Sequence, residues 1–274
     1  MKQLHSVHPE DFKSYTTQTL RDRFLLPDLM QSDSLSLNYT SYDRMIVGGA
    51  MPRQSSIDLQ NQAELRAEYF LERRELGIIN VGGAGEVEVD GKRYQLGKLD
   101  CLYVSRGSKQ VSLHNAGGDP VFYLLSAPAH ADYPTTLITK NDAESNSLGS
   151  LETSNQRTIY RYIHKNGGQS CQLVMGLTLL ETGSVWNTIP PHTHSRRMEV
   201  YFYFDVPENQ VVFHYMGEPS ETRHLVMKNY QAAVSPTWSI HAGSGTSNYG
   251  FIWGMAGENL DYSDMDAVSL NDLR

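Results

Sequence analysis

Four side chains stand out for chemistry they could share. His192 and His194 flank a single threonine in the run Pro190-Pro191-His192-Thr193-His194, Glu199 follows five residues after His194, and His241 lies much farther along the chain. Side chains alternate along an extended strand, so two histidines two residues apart project to the same side and can reach one ion. A carboxylate and a third imidazole complete a shell of nitrogen and oxygen donors without cysteine, a set that suits a divalent first-row metal. The spacing therefore predicts metal ligands at His192, His194, Glu199 and His241. A solitary histidine is more often a surface or hydrogen-bonded residue, and His114, His130, His164, His214 and His224 are read that way.

Size and composition bound what can surround such a centre. The 274 residues suffice for two compact domains or one large β domain. With 39% hydrophobic and 20% charged residues the chain has the makings of packed cores rather than of disorder. A formal charge of -8 disfavours binding to nucleic acid or anionic lipid, which requires a basic face. The amino terminus lacks the apolar core of a secretory signal and no later run approaches membrane-spanning length, so a cytoplasmic protein without nucleic-acid or membrane partners is expected. Cys101 and Cys171 lie in apolar, strand-like stretches and are expected to be reduced and buried.

The elements that must position the ligands are mostly strands. Pro9 opens a predicted helix that runs to about Phe24, with Pro27 ending it. From Leu35 onward, short alternating segments rich in Val, Ile, Tyr and Phe recur between Gly-, Asn- and Asp-containing turns. Asp90-Gly91, between Glu86–Val89 and Lys92–Leu96, predicts a tight hairpin because both residues tolerate positive φ. A second hairpin is predicted from Val211–Met216 to Thr222–Met227. The polar stretch Lys140–Gln156 reads as a linker, dividing residues 1–145, with the amino-terminal helix, from residues 146–274.

Pro236-Thr237-Trp238-Ser239-Ile240-His241 resembles the second sequence motif of cupins, in which a Pro-x-Gly-x-x-His turn returns the last ligand to a His-x-His…Glu cluster. Trp238 stands here in place of the glycine, and Gly245 in place of an asparagine after the histidine. The first half carries a weaker echo: Glu75 precedes Gly82 by seven residues, but the positions matching the two histidines are Glu68 and Phe70. In Ser105-Arg106-Gly107-Ser108-Lys109-Gln110, serine stands for the proline and glutamine for the last histidine. The resemblance implies an all-β bicupin, two antiparallel β jelly-roll barrels with a few short peripheral helices, metal-free in residues 1–145 and metal-binding in residues 146–274.

A more specific resemblance covers nearly the whole chain. Gln172–Leu177, Gly183–His194, Arg196–Asp205, Tyr42-Asp43-Arg44, Ser235-Pro236 with Trp238–His241, and the Gly254–Asn259 tail are similar to the 5-keto-4-deoxyuronate isomerases, also called 4-deoxy-L-threo-5-hexosulose-uronate ketol-isomerases. That family's four ligands fall on His192, His194, Glu199 and His241. The resemblance implies one Zn2+ per subunit, a homohexamer, and an aldose–ketose isomerase that turns the deoxy-keto-uronate from pectin or glycosaminoglycans into 3-deoxy-D-glycero-2,5-hexodiulosonate. The ligand types alone leave iron, manganese, nickel and cobalt open. A 5-deoxyglucuronate isomerase, a cupin oxygenase and a non-catalytic sugar-acid binder are the rival readings.

Around the ligands, strand alternation through Glu199 would put Arg197, Tyr201 and Tyr203 on its face. Tyr201 and Tyr203 are candidate proton-transfer groups, and Arg197, Arg161, Lys165 and Trp238 are candidate substrate contacts. Strand packing is the alternative for the tyrosines, as core packing is for Trp186 and Trp238 and a solvated strand edge for Arg161 and Lys165.

Overall fold

The computed structural model describes residues 1–274, and its helices are confined to short peripheral pieces. No helix is long and apolar enough to cross a membrane. Two compact units interleave along the sequence: Met1–Gln3, Asp28–Glu144 and Arg161–Met175 form the first, and Leu4–Pro27, Ser145–Tyr160 and Gly176–Arg274 the second. One crossing falls next to the expected division at residue 145, whereas the amino-terminal helical stretch groups with the second unit rather than the first.

Each barrel is built from a large and a small antiparallel sheet. In the first, seven strands run in the order Lys2–Leu4, Leu35–Thr40, Ile46–Ala50, Phe122–Pro128, Arg74–Asn80, Cys101–Val104, Thr136–Ile138. Four more, Ile57–Asp58, Val111–Asn115, Gly85–Val89 and Lys92–Leu96, form the smaller sheet. Gly85–Val89 buries Val87 and Val89 and turns Glu86 and Glu88 outward, the period of two expected of a strand with one face on a core. Ile78, Val87, Leu102, Leu113, Phe122 and Leu124 meet in that core. The hairpin predicted at Asp90-Gly91 forms with φ of 49° and 83°, and its register opposes Val89 to Lys92.

The second barrel repeats the plan. Its larger sheet runs Glu144–Leu148, Arg157–Ile163, Val174–Leu180, Gly250–Gly257, Arg197–Phe204, Ala232–Ser235, Leu25–Leu26. The smaller contains Trp186–Asn187, Ile240–Gly245, Val212–Glu218 and Glu221–Met227, the last two being the second predicted hairpin. Glu144–Leu148 is a fully exposed edge strand within the stretch read as linker. Its Ser, Asn and Glu side chains carry no apolar alternation, and backbone pairing alone makes it a strand.

The predicted single helix is two, Pro9–Phe12 and Thr17–Phe24. Thr16 breaks it: its backbone is extended and its hydroxyl accepts the Thr19 N–H at 3.2 Å, capping the second helix. That helix ends at Phe24 because Leu25–Leu26 joins Ala232–Ala233 in the sheet. Phe12 and Phe24 are buried against the Trp238 ring, at centroid distances of 5.2 and 6.4 Å.

Candidate metal centre

The strand Arg197–Phe204 is buried at every position and runs unbroken between Gly250–Gly257 and Ala232–Ser235. Regular alternation therefore puts Arg197, Glu199, Tyr201 and Tyr203 on one face. His241 arrives from the smaller sheet, after a turn closed by the Ser239 N–H on the Pro236 carbonyl at 3.0 Å. Trp238 fits the position of the cupin glycine because its backbone is not left-handed. The loop before His192 turns through Thr188, whose φ is 54°, and through a cis Ile189–Pro190 bond. His192 and Thr193 then pair with Ala267 and Asp266.

These elements bring the four predicted ligands together. One nitrogen from each imidazole and one Glu199 oxygen all lie within 4.8 Å of one another. Glu199 Oε2 is 3.0 Å from His194 Nε2 and 2.8 Å from His241 Nε2, and His241 Nε2 is 3.0 Å from His192 Nε2. One proton on His241 Nε2 would have to serve both neighbours, whereas a cation uses a lone pair from all four atoms at once. The donor set thus fits a divalent metal. Burial lowers the pKa of His192 to about 3, assisted by the charge of His241, so its lone pair is available at neutral pH. Burial alone would raise the pKa of Glu199, but the charge of His241 and the hydrogen bonds from His194 and His241 hold it well below the usual carboxylate range.

The tyrosines and one unanticipated histidine line the barrel beside this cluster. The Tyr201 ring is 5.4 Å from that of His241, and its hydroxyl lies 2.9 Å from Thr188 Oγ1. The Tyr203 hydroxyl lies 2.8 Å from His214 Nδ1. Burial raises both tyrosine pKa values well above normal, with Glu199's charge adding to the effect, so both remain protonated. His214, read from sequence as an ordinary histidine, is fully buried, and burial followed by the charge of His241 lowers its pKa to about 3. Its position opposite Gly243 in the pairing of Val212–Glu218 with Ile240–Gly245 signals that it faces the same interior as His241.

The candidate substrate contacts separate. Arg197 is completely buried, 2.6 Å from Asp264 Oδ1, and donates to the Asn259 carbonyl at 3.2 Å. Arg161 pairs with Glu144 in the first unit, and Lys165 is exposed in a turn of that unit. Trp238 packs on Phe12 and Phe24, and Trp186 stacks on Tyr215 with ring centroids 6.0 Å apart. A cation that sequence reading passed over, Arg157, donates to the Asn155 carbonyl at 2.9 Å. Burial lowers its pKa, and Tyr201 and Tyr249 oppose that shift. A cavity of about 650 Å³ lies on the other face of these strands: Tyr215, Ile240 and Ala242 line it from positions that alternate with His214 and His241, and its wall also includes Trp186, Leu270 and, from the loop before His192, Ile189 and Pro191.

In the first barrel the corresponding positions have other work. Glu68 is exposed, Phe70 lies in the core, and Gln110 is exposed with its backbone N–H on Asp90 Oδ1 at 2.9 Å. Glu75 is completely buried, and both its oxygens are occupied. Oε1 accepts the N–H groups of Gln172 and Leu173 at 2.7 and 2.8 Å, and Oε2 accepts the Cys171 N–H at 2.7 Å and the Tyr103 hydroxyl at 2.9 Å. Cys101 is buried as expected, but Cys171 is only half-buried, with its sulfur 3.0 Å from His130 Nδ1.

Solved structures share this architecture at low sequence identity. An IolB-like protein of Salmonella typhimurium LT2 superposes with a TM-score of 0.72 at 13% identity, covering 89% of this chain and 96% of the other. The oxalate decarboxylase of Lactobacillus farciminis superposes at 0.58 with 10% identity, covering 83% and 79%. Sequence relatives are much nearer. A 4-deoxy-L-threo-5-hexosulose-uronate ketol-isomerase of Formosa agariphila is 56% identical over 272 residues, 98% of this chain and 97% of the relative. One of the same name from Shouchella clausii is 53% identical over 274 residues, covering 98% and 99%. With a family model matching residues 27–269 as well, the chain belongs to the KduI/IolB family.

Proposed function

We propose that the chain is a 4-deoxy-L-threo-5-hexosulose-uronate ketol-isomerase that works in the second barrel with a zinc ion held by His192, His194, Glu199 and His241. The observation that carries this reading is the convergence of three imidazole nitrogens and a carboxylate oxygen within 4.8 Å, in a chain so similar over its length to relatives of that name. The product would be 3-deoxy-D-glycero-2,5-hexodiulosonate. One hydrogen moves from C2 to C1 and one from the C2 hydroxyl to the C1 oxygen, so the carbonyl changes place without net oxidation. A bound divalent ion supplies Lewis-acid stabilisation of the negative charge developing on those two oxygens.

The protein's residues divide the remaining work. Glu199 is engaged by two imidazoles and is not the base. Tyr201, held protonated, can donate a hydrogen bond to a substrate oxygen but cannot remove a proton at neutral pH. His214 is neutral and lies against the Tyr203 hydroxyl, so it holds that hydroxyl in place and takes up no proton at neutral pH. Arg157 offers a positive charge near Tyr201 for the substrate carboxylate. A homohexamer in the cytoplasm, degrading uronates derived from pectin or glycosaminoglycans, completes the reading.

The test is to measure bound metal, then supply 5-keto-4-deoxyuronate with and without oxygen. Metal-dependent ketol product independent of oxygen is expected, and His241→Ala should lose both the ion and turnover. Oxygen consumption in step with substrate loss, or stoichiometric metal retained by the variant, would overturn the reading.

A further inference from the structure

Beyond the four ligand atoms, the tail of the second unit brings a fifth group to the cluster. His194 turns Nε2 toward Glu199, so its other ring nitrogen faces away from the point where the donors meet. The buried Nδ1 has no hydrogen-bond partner, and the nearest carboxylate oxygen, Asp264 Oδ1, itself buried without one, lies 3.7 Å away, just beyond hydrogen-bond length. The same Asp264 oxygen is 2.6 Å from the guanidinium of the completely buried Arg197, two residues before Glu199. The tail is anchored on either side of Asp264. Before it, the Glu258 N–H meets the Arg196 carbonyl at 3.2 Å; after it, Asp266 and Ala267 pair with Thr193 and His192, and the Val268 N–H meets the Pro191 carbonyl at 2.9 Å.

We infer that Asp264 is a positioning residue for the metal centre, placed so that a closing of about half an ångström on metal binding lets it receive the Nδ1–H of His194, leaving Nε2 its lone pair and its aim, while Arg197 holds the carboxylate in place. A neutral imidazole carries one ring proton, and a carboxylate at Nδ1 draws that proton to the side away from the ion. The contact also fixes the ring's rotation. The Arg197 guanidinium, 2.6 Å from Asp264 Oδ1, supplies the charge partner without which a carboxylate in that place would be costly. Arg197 thus contributes to the site through Asp264 rather than through a substrate. His192 and His194 lie on the segment that pairs with this tail, so the ligands and their support are built from one piece of local structure.

The role rests on the metal reading proposed above, and the experiment separates the two. Zinc affinity is measured on the metal-stripped full chain by competition with a chromophoric chelator, for wild type, Asp264→Asn, Tyr262→Phe and His241→Ala. Asp264→Asn keeps the side chain's size but removes the charge, and should weaken zinc binding about 10- to 100-fold, the usual effect of losing such an outer partner. Tyr262→Phe alters the same tail, near Arg197, without touching the carboxylate, and should remain within twofold of wild type. Wild-type affinity in Asp264→Asn, with His241→Ala failing to bind, would overturn the role of Asp264 alone. An equal loss in Tyr262→Phe would also overturn it, because the packing of the tail would then be responsible. Unaltered binding in His241→Ala would overturn the metal reading itself, and the role of Asp264 with it.

Discussion

Glu75→Gln offers the sharpest test of how the first barrel uses a carboxylate at the position corresponding to Glu199. The glutamine keeps the shape of the side chain and exchanges one acceptor oxygen for an NH2 group. Its best placement leaves the oxygen on the Gln172 and Leu173 N–H groups and sets the NH2 opposite the Cys171 N–H and the Tyr103 hydroxyl. Tyr103 can rotate its hydroxyl to accept, but the Cys171 N–H then faces another donor. One unsatisfied N–H costs about 1–3 kcal/mol, and weakening two charge-assisted bonds to neutral ones costs roughly 1 kcal/mol each. Relief of the buried charge offsets part of this, leaving a net loss of about 2–4 kcal/mol. Urea denaturation followed by circular dichroism reads the stability, and metal analysis reads the ion content, which should stay at the wild-type level. A midpoint equal to wild type, or metal lost in step with stability, would refute the assignment of Glu75 to structure rather than coordination.

The remaining expectations concern the second barrel and the exposed turn of the first. His214 has a folded pKa of about 3 against an ordinary 6.5, so its stabilising contribution is complete above pH 6.5 and is lost as pH falls toward 3. In that window the unfolded chain binds a proton that the folded chain refuses, and stability should fall by about 1.4 kcal/mol per pH unit on its account. His214→Gln should flatten the pH profile by that slope in urea titrations between pH 6 and 4; an unchanged profile would refute the buried neutral imidazole. Trp238→Ala should cost about 2–3 kcal/mol, below the full value for a buried tryptophan because the ring is only half-buried. It should speed hydrogen exchange in Thr17–Phe24 while leaving metal content unchanged, and metal loss instead would point to a role at the site. Gln110→Ala should change neither metal content nor stability by more than about 0.5 kcal/mol, as for an exposed side chain; lost metal would place a ligand in the first barrel.

The cluster of four donors was legible because its signal is local: a His-x-His pair, a carboxylate five residues on, and a proline-led turn before His241. The Asp90-Gly91 hairpin was legible for the same reason, since positive φ at both central residues selects those types. Asp264 was not, because it sits in a stretch without periodicity, and the pairing of Asp266–Ala267 with His192–Thr193 is what delivers it. Arg197 was placed on the correct face by alternation, but nothing local to it announces that Asp264 and Asn259 would take its guanidinium. His214 was passed over because one histidine in a β hairpin carries no sign of which face is inward until the strand has a partner. Glu144–Leu148 and the break at Thr16 share that limit: an edge strand without an apolar face and a cap inside an otherwise helical run are decided by pairing and by one hydroxyl.

The threading of the two units has a consequence for dissecting the molecule. A fragment ending at Glu144 would carry Glu75 away from the three amides at Cys171–Leu173, marooning a carboxylate in apolar surroundings. A fragment starting at Ser145 would leave behind the helices Pro9–Phe12 and Thr17–Phe24 that cover Trp238. Neither barrel is therefore a portable cassette. Truncation at the boundary near residue 145 cannot remove the barrel without the His-x-His pair and leave the other barrel whole.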